Sequence, residues 1–171
     1  NEETPALTPA ADGGFFITHT ATKSSPDSIF GILTRLNASQ DVLWSKVFKM
    51  RLGTNITNVE EATDGSLTAL INSYQTAVRY HPVLTKLSST GNILSTTELL
   101  DSANANEMYS FFRFVSLQNG SRFLLGSSSG VMVRVNGQGQ VDYSRQYYMG
   151  AGTGKPLYFS GGKAIPGTNQ W

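Results

Sequence analysis

The residues that could do chemistry are few. His19 and His81 are the only histidines among 171 residues, and there is no cysteine. Missing cysteine excludes disulfides, zinc–thiolate sites and a thiol nucleophile. A Ser–His–acid arrangement needs one imidazole beside its nucleophile, and no Gly-x-Ser-x-Gly elbow lies at a strand-to-helix turn. Two histidines cannot supply a tri-histidine zinc site. Asp12, Asp27, Asp41, Asp64, Asp101 and Asp142 are scattered, and none opens an Asp-x-Asp-x-Asp-Gly calcium loop. Nothing marks a pair of carboxylates for glycoside hydrolysis. Gly150–Lys155, GAGTGK, resembles a phosphate loop only in part: Met149 stands where the first glycine belongs, and Pro156 where Ser or Thr should hold magnesium. It reads as an inter-strand loop. The sequence thus offers no catalytic, metal or cofactor residues, and a non-enzymatic protein is expected.

Binding residues are easier to nominate. The stretch Tyr74–Pro82 gathers Tyr74, Arg79, Tyr80 and His81 in what reads as a loop. Aromatic and cationic groups on a loop are typical ligand contacts. Trp44, Phe48, Tyr143 and Tyr147 have the same side-chain types but recur at a fixed period, which assigns them to packing. Trp44 in particular is expected to be buried between repeats. The sequons at Asn37, Asn55 and Asn119 match chance frequency for so many Ser and Thr residues.

Those residues are carried on a repeat. Leu33–Phe48, LTRLNASQDVLWSKVF, returns as Leu84–Leu99 and as Met132–Tyr147, at spacings of 51 and 48 residues. Each copy has an apolar–basic–apolar step: Leu33, Arg35, Leu36; Leu84, Lys86, Leu87; Met132, Arg134, Val135. A turn of Asn, Ser, Gly or Gln follows, then an alternating stretch, which together spell a hairpin. A second marker keeps the same beat: Asp12-Gly13-Gly14, Asp64-Gly65-Ser66 and Asn119-Gly120-Ser121 each open a strand. A period near 50 with four short strands is the pattern of a propeller blade. The expectation is an all-β fold of β-propeller-type repeats: about three four-stranded antiparallel blades, over residues 12–63, 64–118 and 119–160, within a larger ring or assembly.

The pairing of an Asp-Gly-Gly strand with ILTRLNASQDVLWSKVF resembles the bacterial β-propeller repeats of secreted and cell-surface proteins. Those carry a Lys-Leu-Asp-x-x-Gly-Asn-x-x-Trp hairpin. Repeat one supplies Arg35, Leu36, Asn37 and Trp44, with Gln40 in place of the turn glycine. Repeat two keeps Lys86, Leu87, Gly91 and Asn92 but has Ser95 at the tryptophan position, and repeat three has Tyr143. The resemblance implies architecture and a secreted or cell-surface location; propellers host many activities, so it implies no particular one.

Within repeat one the strands are expected at Gly14–Thr20, Ser28–Leu36, Val42–Phe48 and Asn55–Glu61. Repeat two follows with Leu67–Ser73, Val78–Leu87, Asn92–Leu100 and Met108–Ser116, and repeat three with Arg122–Ser127, Val131–Val135, Gln140–Met149 and Leu157–Phe159. Ala6–Ala10 reads either as an outer strand of a preceding blade or as a loose tail. Net charge is +1 with no basic run, so nucleic acid is not an expected partner. No stretch approaches the roughly 18 apolar residues of a membrane helix. The start at Asn1, without Met or a signal peptide, suggests a processed or cut chain. Three blades would leave apolar faces open near Phe15, Phe30 and Leu157. The expected partners are therefore further repeats or a protein that covers those faces, with a glycan as a possible ligand of the loops.

Overall fold

The computed structural model describes residues 5–24, 27–50, 53–76, 79–99, 111–117, 119–126 and 130–147. Every element there is a strand. The chain divides into two compact units, Asn1–Glu98 and Leu99–Trp171. The first holds β1 (Ala6–Pro9), β2 (Phe15–Ser24), β3 (Asp27–Leu36), β4 (Val42–Phe48), β5 (Gly53–Glu61), β6 (Leu67–Thr76), β7 (Arg79–Leu87) and β8 (Ile93–Glu98). The second holds β9 (Phe111–Ser116), β10 (Arg122–Gly126), β11 (Val131–Val135) and β12 (Val141–Gln146). The expected strand at Leu157–Phe159, with Leu157 itself, and the GAGTGK segment lie outside the described residues.

Three antiparallel meanders of four strands result: β1–β4, β5–β8 and β9–β12. The fold is all-β and of propeller-blade type, as the sequence pattern predicts. The first two blades are joined by one parallel bridge, Ile29 to Gly53, and among the described residues neither sheet closes on itself.

The blades are one strand out of phase with the sequence repeats. Asn55–Glu61, expected as the last strand of repeat one, is part of β5 and opens the second blade by pairing with β6. Ala6–Pro9 likewise pairs with β2, so it is neither a tail nor part of a preceding blade. The reason is the turn marker. Ala62 N donates to Ser66 O and Gly65 N to Ala62 O, a tight reversal that folds the preceding strand onto the following one. The same two bonds recur at Ala10–Gly14 and Leu117–Ser121, and again in the hairpin turns Asn37–Asp41, Ser88–Asn92 and Asn136–Gln140. In all six, the fourth residue has positive φ: Gly13, Gly65, Gly120, Gln40, Gly91 and Gly139. This is the three-residue hairpin loop with a left-handed residue at its end. Register shifts beside the turns at Arg35/Leu36, Lys86/Leu87 and Arg134/Val135 are its bulges.

The core of the first unit lies between its two blades. Phe16, Leu33 and Phe48 from the first meet Ile56, Val59, Leu67, Ala69, Ile71, Val83 and Leu87 from the second. Gly31 lets β5 approach β3, since a Cβ there would stand 2.9 Å from the Ile56 side chain. A separate cluster of Leu117, Phe123, Leu125 and Met132 forms on the third blade.

Candidate functional site

Three places among the described residues gather side chains of chemical interest. The first is a row across the first blade. Phe16, Arg35 and Trp44 are cross-strand neighbours on β2, β3 and β4. Arg35 is only 5% exposed. Its guanidinium lies 4.6 Å from the Phe16 ring centroid, and donates to Asp12 Oδ1 at 2.5 Å and to the carbonyl oxygens of Phe15 and Leu36. The Arg35 bond and the Gly14 amide hold the Asp12 carboxyl below its usual range. Gly14 is required there, because a Cβ would collide with Leu36 O and Arg35 Nη1.

The equivalents in the other repeats show which parts travel together. Asp64 is lowered first by Ser66, whose hydroxyl and amide donate to it, and then by the charge of Lys86. In repeat three the turn residue is Asn119, which is uncharged. Arg134 turns instead to Asp142 on β12, at 2.8 Å, where repeats one and two carry Leu43 and Leu94. The row Phe123–Arg134–Tyr143 keeps the aromatic–cation–aromatic order, with Phe123 and Tyr143 edge to face at 6.5 Å. The acidic partner of the basic step has moved from turn to outer strand, which pairing within one repeat explains and sequence spacing does not reveal.

Trp44 joins the first two blades, though it is half-exposed rather than buried. Its Nε1 donates to Ser89 O at 3.0 Å, and its ring covers Gly91, where a Cβ would stand 2.9 Å from the indole. Ala11 N adds a bond to Glu61 at 2.7 Å. These contacts fix the first blade onto the second at the end where the tight turns lie.

The second place is the opposite end. The sequence reading names Tyr74–Pro82 a loop, although its expected strand Val78–Leu87 already holds Arg79, Tyr80 and His81; in the structure all four are strand residues, Tyr74 on β6 and the other three on β7. β6 and β7 run on as a hairpin in which Tyr74 pairs with Tyr80, Thr76 with Arg79 and Ser73 with His81. The strand pairing persists because the hydrogen-bond ladder continues past Pro82, opposite Asn72, and a shift between Tyr74 and Thr76 absorbs the irregularity. All four residues are thereby brought to one hairpin end, adjoining β5 through Gly53 and Tyr74. His19 is elsewhere, on β2 opposite Ile32.

The third place is an apolar face of the first blade, carrying Leu7, Phe15, Ile17, Ile32 and Leu36. Leu7 is 61% exposed and the other four are half-buried. Phe30, expected near an open face, lies on it too.

Among the described residues no three His, Asp or Glu side chains converge as a metal site. Gly126–Gly130 reads Gly-x-Ser-x-Gly, but it links the antiparallel neighbours β10 and β11, whereas a nucleophile elbow needs a helix to follow. No helix among the described residues is long and apolar enough to cross a membrane.

No family model matches the chain, and no curated protein does. Among solved structures, a protein of unknown function from Bacteroides caccae superposes with a TM-score of 0.59 at 11% identity, over 87% of this chain and 50% of that one. The chain thus spans half the length of that protein, and the likeness is one of fold. A streptogramin B lyase structure aligns over 84% of this chain and 69% of that one, with a TM-score of 0.37 and 10% identity; so loose a likeness carries no argument.

Proposed function

We propose that this chain is a non-enzymatic binding scaffold that works outside the cell, secreted or at the cell surface. It presents its longer hairpin ends to a glycan, a surface polymer or a protein. What supports this reading is the contrast between the two ends of the blades. At one end of each blade the two turns share one five-residue geometry and its hydrogen bonds. At the other, β2 and β3 extend to 10 residues each and β6 and β7 to 10 and 9, whereas β10 and β11 have 5 each. Of the two long hairpins, β6–β7 is the one that carries Tyr74, Arg79, Tyr80 and His81. A regular scaffold with one constant and one variable end is how binding sites are grafted onto repeats. The carrying observation is the placement of those four residues on one hairpin end.

The test is a glycan array, together with a panel of purified cell-wall polymers, probed with the intact chain. Replacing Tyr74, Arg79, Tyr80 and His81 together with Ser is expected to abolish any binding found while leaving the far-UV circular dichroism unchanged. Undiminished binding would move the site elsewhere. A second reading, a structural subunit that docks its open blade into an assembly, is favoured by one observation, the uncovered apolar face of the first blade.

A further inference from the structure

The open face of the first blade has a counterpart whose occupant is visible. By the turn markers, Leu7, Phe15, Ile17, Ile32 and Leu36 correspond to Val59, Leu67, Ala69, Val83 and Leu87 on the second blade. That second set is buried, at 4%, 1%, 0%, 2% and 0% exposure, against the Phe16–Leu33–Phe48 face of the first blade. Leu7 at 61% therefore occupies the position where Val59 is sealed. The outer-strand pairs Val42-Leu43 and Ile93-Leu94 are exposed on both blades, so they do not distinguish covered from open; the inner strands do.

The contact that locks the first blade onto the second also has a counterpart. Trp44 rests on the Ser88–Asn92 turn at Ser89 O and Gly91. On the first blade the same positions are Ala38 and Gln40. Gln40 is the one residue other than glycine with positive φ among the described residues, at 69°. Its Cβ stands where a Cβ on Gly91 would come within 2.9 Å of the indole. An indole in Trp44's pose is thus excluded from the first blade's turn.

We infer that the open face of the first blade docks one more four-stranded blade of this repeat kind, and that Gln40 restricts it to a blade with a short side chain at the Trp44 position. Ser95 of repeat two is the example of such a residue in this chain. The docking blade presents an apolar face with a basic residue in its second row, as Phe16, Leu33 and Arg35 do. His19 stands where the second blade has the buried Ile71, and adds a polar group to the receiving face. This inference rests on reading the chain as a blade scaffold, and it names the chemistry of the partner.

The absence of native cysteine gives a clean reporter. Leu7→Cys is introduced singly, with Ile32→Cys as a second site, and thiol labelling is followed by mass. The full chain is then extended by repeating residues 53–110 ahead of Pro5, so that a blade bearing Ser95 precedes β1. Labelling is expected to slow by about tenfold or more, because it then requires the interface to open. The same extension with Ser95→Trp is expected to leave labelling fast, and adding Gln40→Gly to restore protection. Fast labelling in every extended form would overturn the docking face. Protection independent of the residue at 95 would overturn the role of Gln40. Light scattering on the unextended chain supplies the remaining outcome: a dimer that protects the introduced thiol as concentration rises would assign the face to a second copy instead. Cooperative unfolding of the unextended chain, with loss of docking alone, separates failure of this inference from failure of the blade reading itself.

Discussion

Gly91→Ala places one methyl group at the joint between the first two blades. Two costs follow. Gly91 has φ +81, where an L-residue loses about 1–2 kcal/mol. The new Cβ also lies 2.9–3.2 Å from three indole atoms of Trp44, so the ring must shift and its Nε1 bond to Ser89 O weakens, a further loss of about 1 kcal/mol. The expected destabilisation is about 2–3 kcal/mol. Trp44→Ala alone removes a half-exposed aromatic and the same bond, and is expected to cost about 2–3 kcal/mol, below the figure for a fully buried Trp. In the Trp44→Ala background the clash is gone and only the backbone term remains. A double-mutant cycle should therefore show the two changes to be less than additive by about 1 kcal/mol. Urea unfolding followed by far-UV circular dichroism measures all four proteins without relying on the tryptophan that is removed. Strict additivity would show that Trp44 does not rest on Gly91.

Other expectations follow from the same geometry. Gln40→Gly relieves a left-handed side chain at the expense of unfolded-state freedom, and should raise stability by about 0.5–1 kcal/mol in urea unfolding. Gly14→Ala drives a methyl group into Leu36 O and Arg35, and is expected to cost more than about 3 kcal/mol, read as loss of cooperative unfolding in the first unit. Asp12 is lowered by Arg35, so its contribution is present above the ordinary aspartate value near about 3.9 and is lost as pH falls through its depressed value. Asp12→Asn should therefore flatten the acid limb of a stability–pH curve, and an unchanged limb would contradict the ion pair.

Much of the architecture is legible in the sequence because the turns announce themselves. Asp-Gly and Asn-Gly at a fixed beat place strand starts to within a residue or two, as at Phe15, Leu67 and Arg122. What is not legible is which strand pairs with which. β5 and β1 look like ends of repeats, and only the hydrogen-bonded reversal at Ala62–Ser66 assigns β5 forward. The Tyr74–Pro82 stretch reads as a loop because it departs from the repeat, even with a strand expected from Val78; a ladder that tolerates Pro82 opposite Asn72 makes its described residues strand. Trp44 is recognisable as a packing residue by its period. Its partner Gly91 carries no signal, because glycine in a turn is expected for φ alone. The move of Arg134 from turn to Asp142 is hidden for a similar reason: Asn119 and Asp142 are 23 residues apart and each looks ordinary.

Amide hydrogen exchange on the intact chain, read peptide by peptide, tests the blade architecture on which the proposed function depends. Within the first unit, β2, β3, β6 and β7 should exchange slowest, since each pairs on both sides. β5 should be protected together with β6, while β4 and β8 exchange faster as outer strands, β4 despite its apolar sequence. Protection of β5 in step with β4, or of β4 equal to that of β3, would contradict the account.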